Sequence, residues 1–326
     1  MKLCLLAFCI LTASVGAKAA CSLPASNASL GTVTSFSVNS TPSATSSAAN
    51  VNCGSGSVLA LLSGNNIALQ LGGASNTSGT RAVLRRAGDT GADVVPVQLC
   101  TDAACATEMR IGGTPVNFPS ANLLNLIGLL GGLNFSIPVY IRTVPGQSVA
   151  AGTYTGILNI VANYNICTAI SLLGLCLLGA NQNGSGVIPL TVTLNITNDC
   201  TTINAPNISF GSAPLVDRFS SVSQSVGIIC TKGSTYTVGM SNGSNAINNQ
   251  RYMVNGSNHL AYEIYKASGA DRWGDTGTER WSSNFSSSVS ADGLTRTYNY
   301  TARILPAQTT PPAGNYTDSV VVNLSF

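Results

Sequence analysis

The cysteines are the residues of this sequence whose chemistry can be predicted most directly. The chain of 326 residues has ten of them. Cys4 and Cys9 fall in an N-terminal stretch with the pattern of a secretory signal, in which Lys2 precedes an apolar run and the sequence AKAAC ends at Cys21. We expect cleavage before Ala20 or Cys21, which leaves eight cysteines. An even number in an exported protein predicts disulfide bonds, formed in an oxidising compartment such as a periplasm.

The spacing of the remaining cysteines suggests how they pair. Two of the pairs enclose short local loops, whereas the other two join residues 32 and 30 positions apart. The predicted disulfides are Cys21–Cys53, Cys100–Cys105, Cys167–Cys176 and Cys200–Cys230.

Catalytic chemistry has little support in the sequence. His259 is the only histidine, and no Ser-His-Asp or Cys-His set can be assembled around it. Cysteines that form disulfides cannot act as nucleophiles or as zinc ligands. Gly54 and Gly56 precede no predicted helix, which argues against a phosphate-binding loop. The sequence therefore predicts a protein that is not an enzyme and that uses neither a cofactor nor a metal.

The composition is typical of an exported β protein. Only 8% of the residues are charged, and Thr, Val, Tyr and Gly recur in short alternating runs. A net charge of +3 gives no basic patch, so we expect no nucleic-acid partner. After the signal, no apolar run has the length of a membrane-spanning helix.

The second half of the sequence repeats the first, which indicates two domains. The first half begins CSLPASNASLG at Cys21 and reaches its second cysteine in AANVNC at Cys53. The second half begins CTTINAPNISFG at Cys200 and reaches SVGIIC at Cys230. The predicted divisions are a signal peptide at residues 1–20, an N-terminal domain at residues 21–198 and a C-terminal domain at residues 199–326.

Each half also ends in a similar pair of strands. Residues 139–164 and residues 300–326 both contain a strand, a turn with Pro and Gln, the motif A-G-x-Y-T and a final alternating strand. In the second half we assign the first strand to residues 208–215 and the sixth and last to residues 316–326. Six strands of this kind predict an immunoglobulin-like sandwich. The predicted fold class is therefore all-β, with two immunoglobulin-like β-sandwich domains.

The two halves differ after the sixth strand. The first half continues into GVIPLTVTLNIT, residues 186–197, which we predict to be a seventh strand, whereas the second half ends at Phe326. A sandwich without its seventh strand has unpaired backbone along one strand and a gap in its core. We therefore expect the C-terminal domain to accept a strand from another chain. The residues predicted to contact that strand are Val320, Val322, Leu324 and Phe326.

Two segments of the second half resemble a known family. The sequences YEIYKASGADRWGDTG, residues 262–277, and PAGNYTDSVVVNLSF, residues 312–326, are similar to the spore coat protein U domain of archaic chaperone-usher pilus subunits. In the first half, QLCTDAACATEMRIGG replaces the W-G motif. The resemblance implies an incomplete pilin fold in the C-terminal domain. Its implied partners are a periplasmic chaperone, then an adjacent pilin that donates a strand, and the outer-membrane usher.

Both tryptophans lie near acidic residues, and this arrangement has two interpretations. An exposed aromatic cluster among carboxylates would suit a sugar, whereas packing at a turn or sheet edge would bury the rings. We favour packing, because the W-G-D segment matches the structural pattern of the family that it resembles. The residues concerned are Trp273, Trp281, Glu263, Asp271, Asp275 and Glu279.

The predicted cleavage site has a consequence for assembly. Ordinary subunits of this family carry a donor segment before the first cysteine, and cleavage at Cys21 leaves none. A subunit that receives a strand but donates none occupies the end of a polymer. The two-domain organisation also resembles tip adhesins of Csu-type pili, a family linked to attachment on abiotic surfaces and to biofilm formation. We therefore expect export through the periplasm and a place at the pilus tip on the cell surface.

Three apolar stretches distinguish the N-terminal domain from the C-terminal one: residues 55–66, 119–135 and 167–179. They connect strands two and three, four and five, and six and seven, so they lie at one end of an antiparallel sandwich. The residues predicted to bind surfaces are Val58, Leu59, Leu61, Leu62, Leu123, Leu124, Leu126, Ile127, Leu129, Leu130, Ile170, Leu172, Leu173, Leu175, Leu177 and Leu178.

Each apolar stretch has an alternative interpretation as core. Residues 58–62 suit an extra core strand and residues 123–133 a short buried helix. We favour one exposed patch, because three independent runs share one end and the C-terminal domain lacks all three. The predicted function is binding to hydrophobic, abiotic surfaces. The alternatives are an adhesin for a carbohydrate or protein receptor, and a purely structural pilus or coat subunit.

Overall fold

The computed structural model describes residues 20–56, 64–89, 91, 93–126, 132–173 and 175–326. The predicted signal therefore lies outside the described residues except for Ala20, and the side chain of Leu178 is not described. The predicted surface-binding residues that lie outside the described ranges are Val58, Leu59, Leu61, Leu62, Ile127, Leu129 and Leu130.

The N-terminal half is built almost entirely of strands, as its alternating sequence predicts. Its helices are α1, Ser35–Ser40, and α2, Ser120–Leu124. Its strands are β1 Ser26–Thr34, β2 Ala44–Asn52, β3 Asn66–Ala74, β4 Thr77–Ser78, β5 Arg81–Arg86, β6 Val94–Cys100, β7 Glu108–Met109, β8 Val116–Pro119, β9 Asn134–Thr143, β10 Gly152–Cys167, β11 Ile170–Leu172, β12 Leu175–Leu178 and β13 Asn181–Thr197.

The strands of the N-terminal half form one continuous sheet, except β11 and β12, which pair with each other. Its main path runs β1-β13-β10-β5-β6-β9-β2, and β3 also pairs with β10. The two ends of this path approach each other, because β1 contacts β2, and the sheet thereby encloses a single hydrophobic core. The strand predicted at residues 186–197 is present as part of the longer β13, which is antiparallel to β10 and parallel to β1.

The C-terminal half has two smaller sheets, with the orders β14-β15-β21-β18-β17 and β19-β16-β22. Short 3₁₀ turns occupy Val216–Arg218, Gly277–Glu279 and Ser283–Phe285. The strands are β14 Cys200–Asn204, β15 Val222–Cys230, β16 Thr237–Met240, β17 Arg251–Asn255, β18 Asn258–Lys266, β19 Trp281–Ser282, β20 Ser288–Val289, β21 Thr295–Ile304 and β22 Val322–Ser325.

Two strand predictions in the C-terminal half need correction. Residues 208–215 form no strand, and of residues 316–326 only Val322–Ser325 forms one. Strand geometry is stabilised by hydrogen bonds to a neighbouring strand. These two segments flank an open groove, and among the described residues no strand lies between them to pair with both. The all-β fold class is confirmed.

The tryptophans belong to the core of the C-terminal half. Trp273 is fully buried and Trp281 is 7% exposed, and their rings meet edge to face with centroids 5.0 Å apart. The Trp273 indole N–H donates a hydrogen bond to the Val238 carbonyl at 3.0 Å. Rings held in this way have no free face for a sugar, so the packing interpretation is the correct one.

All four predicted disulfides are present: Cys21–Cys53, Cys100–Cys105, Cys167–Cys176 and Cys200–Cys230. The buried apolar residues of the two halves form two separate clusters. An ion pair joins the halves, because Lys232 Nζ lies 2.6 Å from Asp93 Oδ1. None of the described helices is long and apolar enough to span a membrane.

A partly buried carboxylate stabilises the side of the N-terminal sheet near β7. Glu108 accepts hydrogen bonds from Arg81 at 2.6 Å and 2.9 Å, from Arg110 and from Gln98. These donors, Arg81 above all, lower the pKa of Glu108 from 4.5 to about 2, although partial burial opposes the shift. The carboxylate therefore contributes stability that is complete above pH 4.5 and is lost as the pH falls toward 2.

We expect Glu108→Gln to remove this pH dependence. At neutral pH the variant should unfold at a lower urea concentration than the wild type, and the difference should shrink as the pH falls from 4.5 to 2. The matched control is Asp217→Asn, because Asp217 pairs with Arg218 in an exposed position. A difference between Glu108→Gln and wild type that stays constant over this pH range would contradict the prediction.

Candidate surface-binding pole and strand-accepting groove

The third apolar stretch forms a β-hairpin. Its strands β11 and β12 pair antiparallel, with Leu172 opposite Leu175 and Ser171 opposite Cys176. Leu173 occupies the turn with a φ of 52°, a left-handed conformation that suits a tight reversal. The disulfide from Cys167 to Cys176 joins the end of β10 to β12. The hairpin is therefore fastened to the main sheet by a covalent bond.

The leucines of this hairpin face the solvent. Leu173 is 89% exposed, Leu175 65%, Leu177 54% and Leu172 50%. Ile170, at the base, is half-buried. Leu124 of the second stretch adds a further apolar side chain, 42% exposed. A cluster of exposed leucines on one disulfide-fastened hairpin is the kind of apolar surface that marks an interaction site.

Part of the second stretch belongs to the core and not to the surface. Leu123 lies on the inner side of α2 and is fully buried, so its prediction as a surface-binding residue is wrong. Leu126 is half-buried and packs against the same core. The core interpretation of this stretch was therefore partly correct, because a helical turn begins at Ser120 and directs one leucine inward.

The bases of the three apolar stretches meet. Cys53 N donates to Leu133 O at 2.9 Å, and Leu133 N donates to Gly54 O at 2.8 Å, which joins the first stretch to the second. A Cβ built on Gly56 would lie only 2.8 Å from Thr168 O, so the first stretch also lies directly against the third. We call this end of the N-terminal half, with the hairpin and Leu124, the apolar pole.

The apolar pole lies at the far end of the N-terminal half. Strand β13 begins at Asn181, beside the hairpin, and ends at Thr197, immediately before the C-terminal half. At about 3.3 Å per residue its 17 residues span about 55 Å. The position of the apolar pole was therefore predictable from the alternation of strand directions.

A groove opens along the side of the C-terminal half. Two adjoining cavities of about 540 Å³ and 340 Å³ share the lining residues Ile208, Phe210, Met253, Tyr316 and Thr317. These five residues were not predicted from the sequence to form part of a site. The alternation of Ile208 and Phe210, which corresponds to buried Ala28 and Leu30 of β1, was the available signal.

The last strand forms one wall of this groove. Val320 and Val322 line it, and both pack partly against the core together with Leu324. Phe326 does not line the groove; its side chain is 64% exposed and its ring lies 6.0 Å from that of Tyr236. Three of the four predicted contact residues thus face the core, Val320 from just before the last strand and Val322 and Leu324 from within it.

The N-terminal half has a strand where the C-terminal half has its groove. The shared motif A-G-x-Y-T aligns Tyr154 of β10 with Tyr316. Tyr154 is paired with Leu194 of β13, and β13 lies between β1 and β10. The apolar residues of β13 that point into the core are Ile188, Leu190, Val192, Leu194 and Ile196, each no more than 3% exposed.

The family model of the Spore Coat Protein U domain matches residues 7–161 and 187–323. The chain therefore belongs to this family. The second match begins at Val187, inside β13, although β13 is paired within the N-terminal half. In the sequence, β13 is therefore the segment just before Cys200, the first cysteine of the second repeat. In the structure, it completes the N-terminal half.

A solved structure with a similar fold comes from a pilus. The chain is 25% identical to a chain of the CsuC–CsuE chaperone–tip adhesion subunit pre-assembly complex from the archaic chaperone-usher Csu pili of Acinetobacter baumannii, with a TM-score of 0.57 over 94% of this chain and 100% of that one.

Two further structures are more distant. The CooA pilin subunit of enterotoxigenic Escherichia coli is 15% identical, with a TM-score of 0.30 over 52% of this chain and 90% of that one. The CupB6 tip adhesin of Pseudomonas aeruginosa is 11% identical, with a TM-score of 0.33 over 90% and 89%. No curated protein sequence matches the chain.

Proposed function

We propose that this protein is the tip adhesin of a chaperone-usher pilus and that it attaches cells to hydrophobic abiotic surfaces, as a step in biofilm formation. The observation that carries the proposal is the row of exposed leucines on a disulfide-fastened hairpin, at the end of the molecule farthest from the C-terminal half. Similarity over nearly the whole chain to a tip adhesion subunit supports the same function. A binding role of this kind involves no catalysis.

The exposed leucines would supply free energy for attachment. Full burial of a leucine contributes about 1.5 to 3 kcal/mol. Scaled by their exposure, the four hairpin leucines would contribute about 4 to 8 kcal/mol on contact with an apolar surface, before ordering losses. The disulfide restricts the hairpin beforehand and so reduces those losses. Many pili on one cell would multiply the effect.

The groove of the C-terminal half is the proposed site of assembly. We propose that it receives a strand first from a periplasmic chaperone and then from an adjacent pilin, with transfer at the outer-membrane usher. The half-buried Val320, Val322 and Leu324 supply apolar contacts, and the groove runs beside backbone suited to strand addition. Because β13 is engaged inside the N-terminal half, it is not free for donation, which supports a place at the tip of the pilus.

A variant with Leu172, Leu173, Leu175 and Leu177 all replaced by Ser tests the adhesive role. We expect attachment of piliated cells to polystyrene to fall by about tenfold or more. The matched control is Ile157→Ser with Val187→Ser, since these side chains are 42% and 48% exposed on strands away from the pole. The control should attach within about twofold of wild type.

Electron microscopy with a labelled antibody should show normal pili in both variants, with label at the tips. Unchanged attachment by the leucine variant would refute the adhesive role of the hairpin. Inhibition of wild-type attachment by a free sugar would indicate a lectin instead. Label along the shaft would refute the tip location.

A further inference from the structure

Asn65 is a buried polar residue at the meeting point of the three apolar stretches. It lies at the end of the first stretch, immediately before β3, and is only 4% exposed. Buried amides require hydrogen-bond partners, because an unsatisfied one costs about 1 to 3 kcal/mol. The partners of Asn65 therefore show which segments it holds.

The first partner belongs to the second apolar stretch. The backbone N–H of Asn65 donates to Ser120 Oγ at 3.0 Å, and the Ser120 hydroxyl donates to Asn65 O at 3.2 Å. Ser120 is the first residue of α2, the helix that buries Leu123 and exposes Leu124. The Ser120 side chain thus fixes the start of this helix to the end of the first stretch.

The second partner belongs to the third apolar stretch. Asn65 Oδ1 accepts a hydrogen bond from the backbone N–H of Cys167 at 2.6 Å, in a buried position. Cys167 is the last residue of β10 and is bonded to Cys176 in the hairpin. The side-chain oxygen of Asn65 therefore binds the backbone of Cys167, the residue at which the hairpin and its disulfide begin.

We propose that Asn65, together with Ser120, is a positioning residue that holds the described bases of the three apolar stretches in one fixed arrangement before any surface is met. A fixed arrangement of the hairpin leucines and Leu124 lowers the entropy lost on attachment. The consequence for attachment rests on the proposed adhesive function. The effect of Asn65 and Ser120 on the arrangement of the stretches does not rest on that function, and it can be measured separately.

The neighbouring residue provides a matched control. Asn66 has the same side chain, but its Nδ2 donates to Asn117 Oδ1 at 3.3 Å, across the pair formed by β3 and β8. It contributes to the sheet, and its side chain bonds to none of the described residues of the second or third stretch. Asn66→Ala therefore removes an amide of equal size without releasing the pole.

Hydrogen exchange of the mature full-length protein tests the proposal. In Asn65→Ala, peptides covering residues 165–178 should exchange about tenfold faster than in wild type, while β2 and β9 stay unchanged. Ser120→Ala should accelerate exchange of the peptide at residues 119–126. Asn65→Asp should restore slow exchange at residues 165–178, because its carboxylate also accepts from the Cys167 N–H. Asn66→Ala should match wild type.

Attachment of piliated cells to polystyrene should fall about threefold or more in Asn65→Ala and recover in Asn65→Asp. Unchanged exchange at residues 165–178 in Asn65→Ala, and at residues 119–126 in Ser120→Ala, would overturn the proposal even if the leucine variant of the hairpin fails to attach. If the leucine variant attaches normally, the adhesive function fails instead, and the exchange measurements still decide the positioning role.

Discussion

A copy of residues 187–197, appended after Phe326 through a Gly-Ser linker of about five residues, should raise the unfolding midpoint of the C-terminal half by about 10 °C or more. The copied segment is the part of β13 that completes the N-terminal half, and the shared A-G-x-Y-T motif aligns β10 with residues 314–326. The appended copy would return antiparallel to the last strand, as β13 returns along β10.

The expected gain comes from both surfaces of the groove. Ile208, Phe210, Val320 and Val322 line it and would be covered by the branched side chains of the copy. The segment 205–215 would also gain a parallel partner, as β1 has in β13. A net stabilisation of about 3 kcal/mol corresponds to a shift of roughly 10 °C in a domain of this size.

Calorimetry measures this shift, and hydrogen exchange at residues 205–216 measures the ordering of the groove wall. The control carries the same appended segment with its copies of Ile188, Leu190 and Val192 replaced by Thr. This control keeps the length and the backbone donors but loses the apolar contacts, so its midpoint should stay near that of the wild type. Equal shifts from both segments would mean that the groove does not select apolar strands.

The elements that depend on short-range pattern were predictable from the sequence. The repeat predicted the two disulfides whose cysteines lie about thirty residues apart, and it predicted the additional strand β13. Both follow from spacing and alternation, which are directly visible in a sequence. Leu123 was placed wrongly, since one turn of α2 turns it inward while Leu124 stays exposed. Burial of this kind depends on tertiary packing, which a run of leucines does not specify.

The remaining differences have the same origin. Residues 208–215 have the alternation of a strand but form none, because pairing requires a neighbour. The role of Asn65 was not predicted at all, since its partners Ser120 and Cys167 are 55 and 102 residues away. Charged side chains in the core are equally hard to predict, and the C-terminal half contains such a pair.

Arg251 is fully buried in the C-terminal half. It bonds Glu263, which is also buried, and donates to the carbonyls of Met240 at 2.9 Å, Ser241 at 2.7 Å and Trp273 at 2.8 Å. Burial lowers the pKa of Arg251, and the nearby Glu263 carboxylate opposes that shift. The Arg251 guanidinium therefore connects the end of β16 to the backbone of Trp273.

This pair also supports the strand-accepting groove. Ser241, which Arg251 holds, exchanges two hydrogen bonds of 2.9 Å with Val321, one from its backbone N–H and one to its hydroxyl. Val321 lies between the groove residues Val320 and Val322. Loss of the buried pair should therefore loosen the last strand as well as the core beneath it.

We expect Arg251→Met to destabilise the C-terminal half by about 3 to 5 kcal/mol, because the buried Glu263 loses one of its two guanidinium partners and the buried carbonyls lose their donor. Glu263→Gln should cost at least as much, since Glu263 also accepts from Arg272 at 2.8 Å. Urea unfolding measures each loss, and the exposed Arg218→Ala serves as control, with an expected change below about 0.5 kcal/mol.

The double variant Arg251→Met with Glu263→Met separates the two contributions. If the cost of each single change comes from a stranded buried charge, the double variant should lose less than the sum of the two. The carbonyls of Ser241 and Trp273 would still lack a donor, so recovery should be incomplete. A double loss equal to the sum would show that Arg251 acts through these carbonyls alone and not through Glu263.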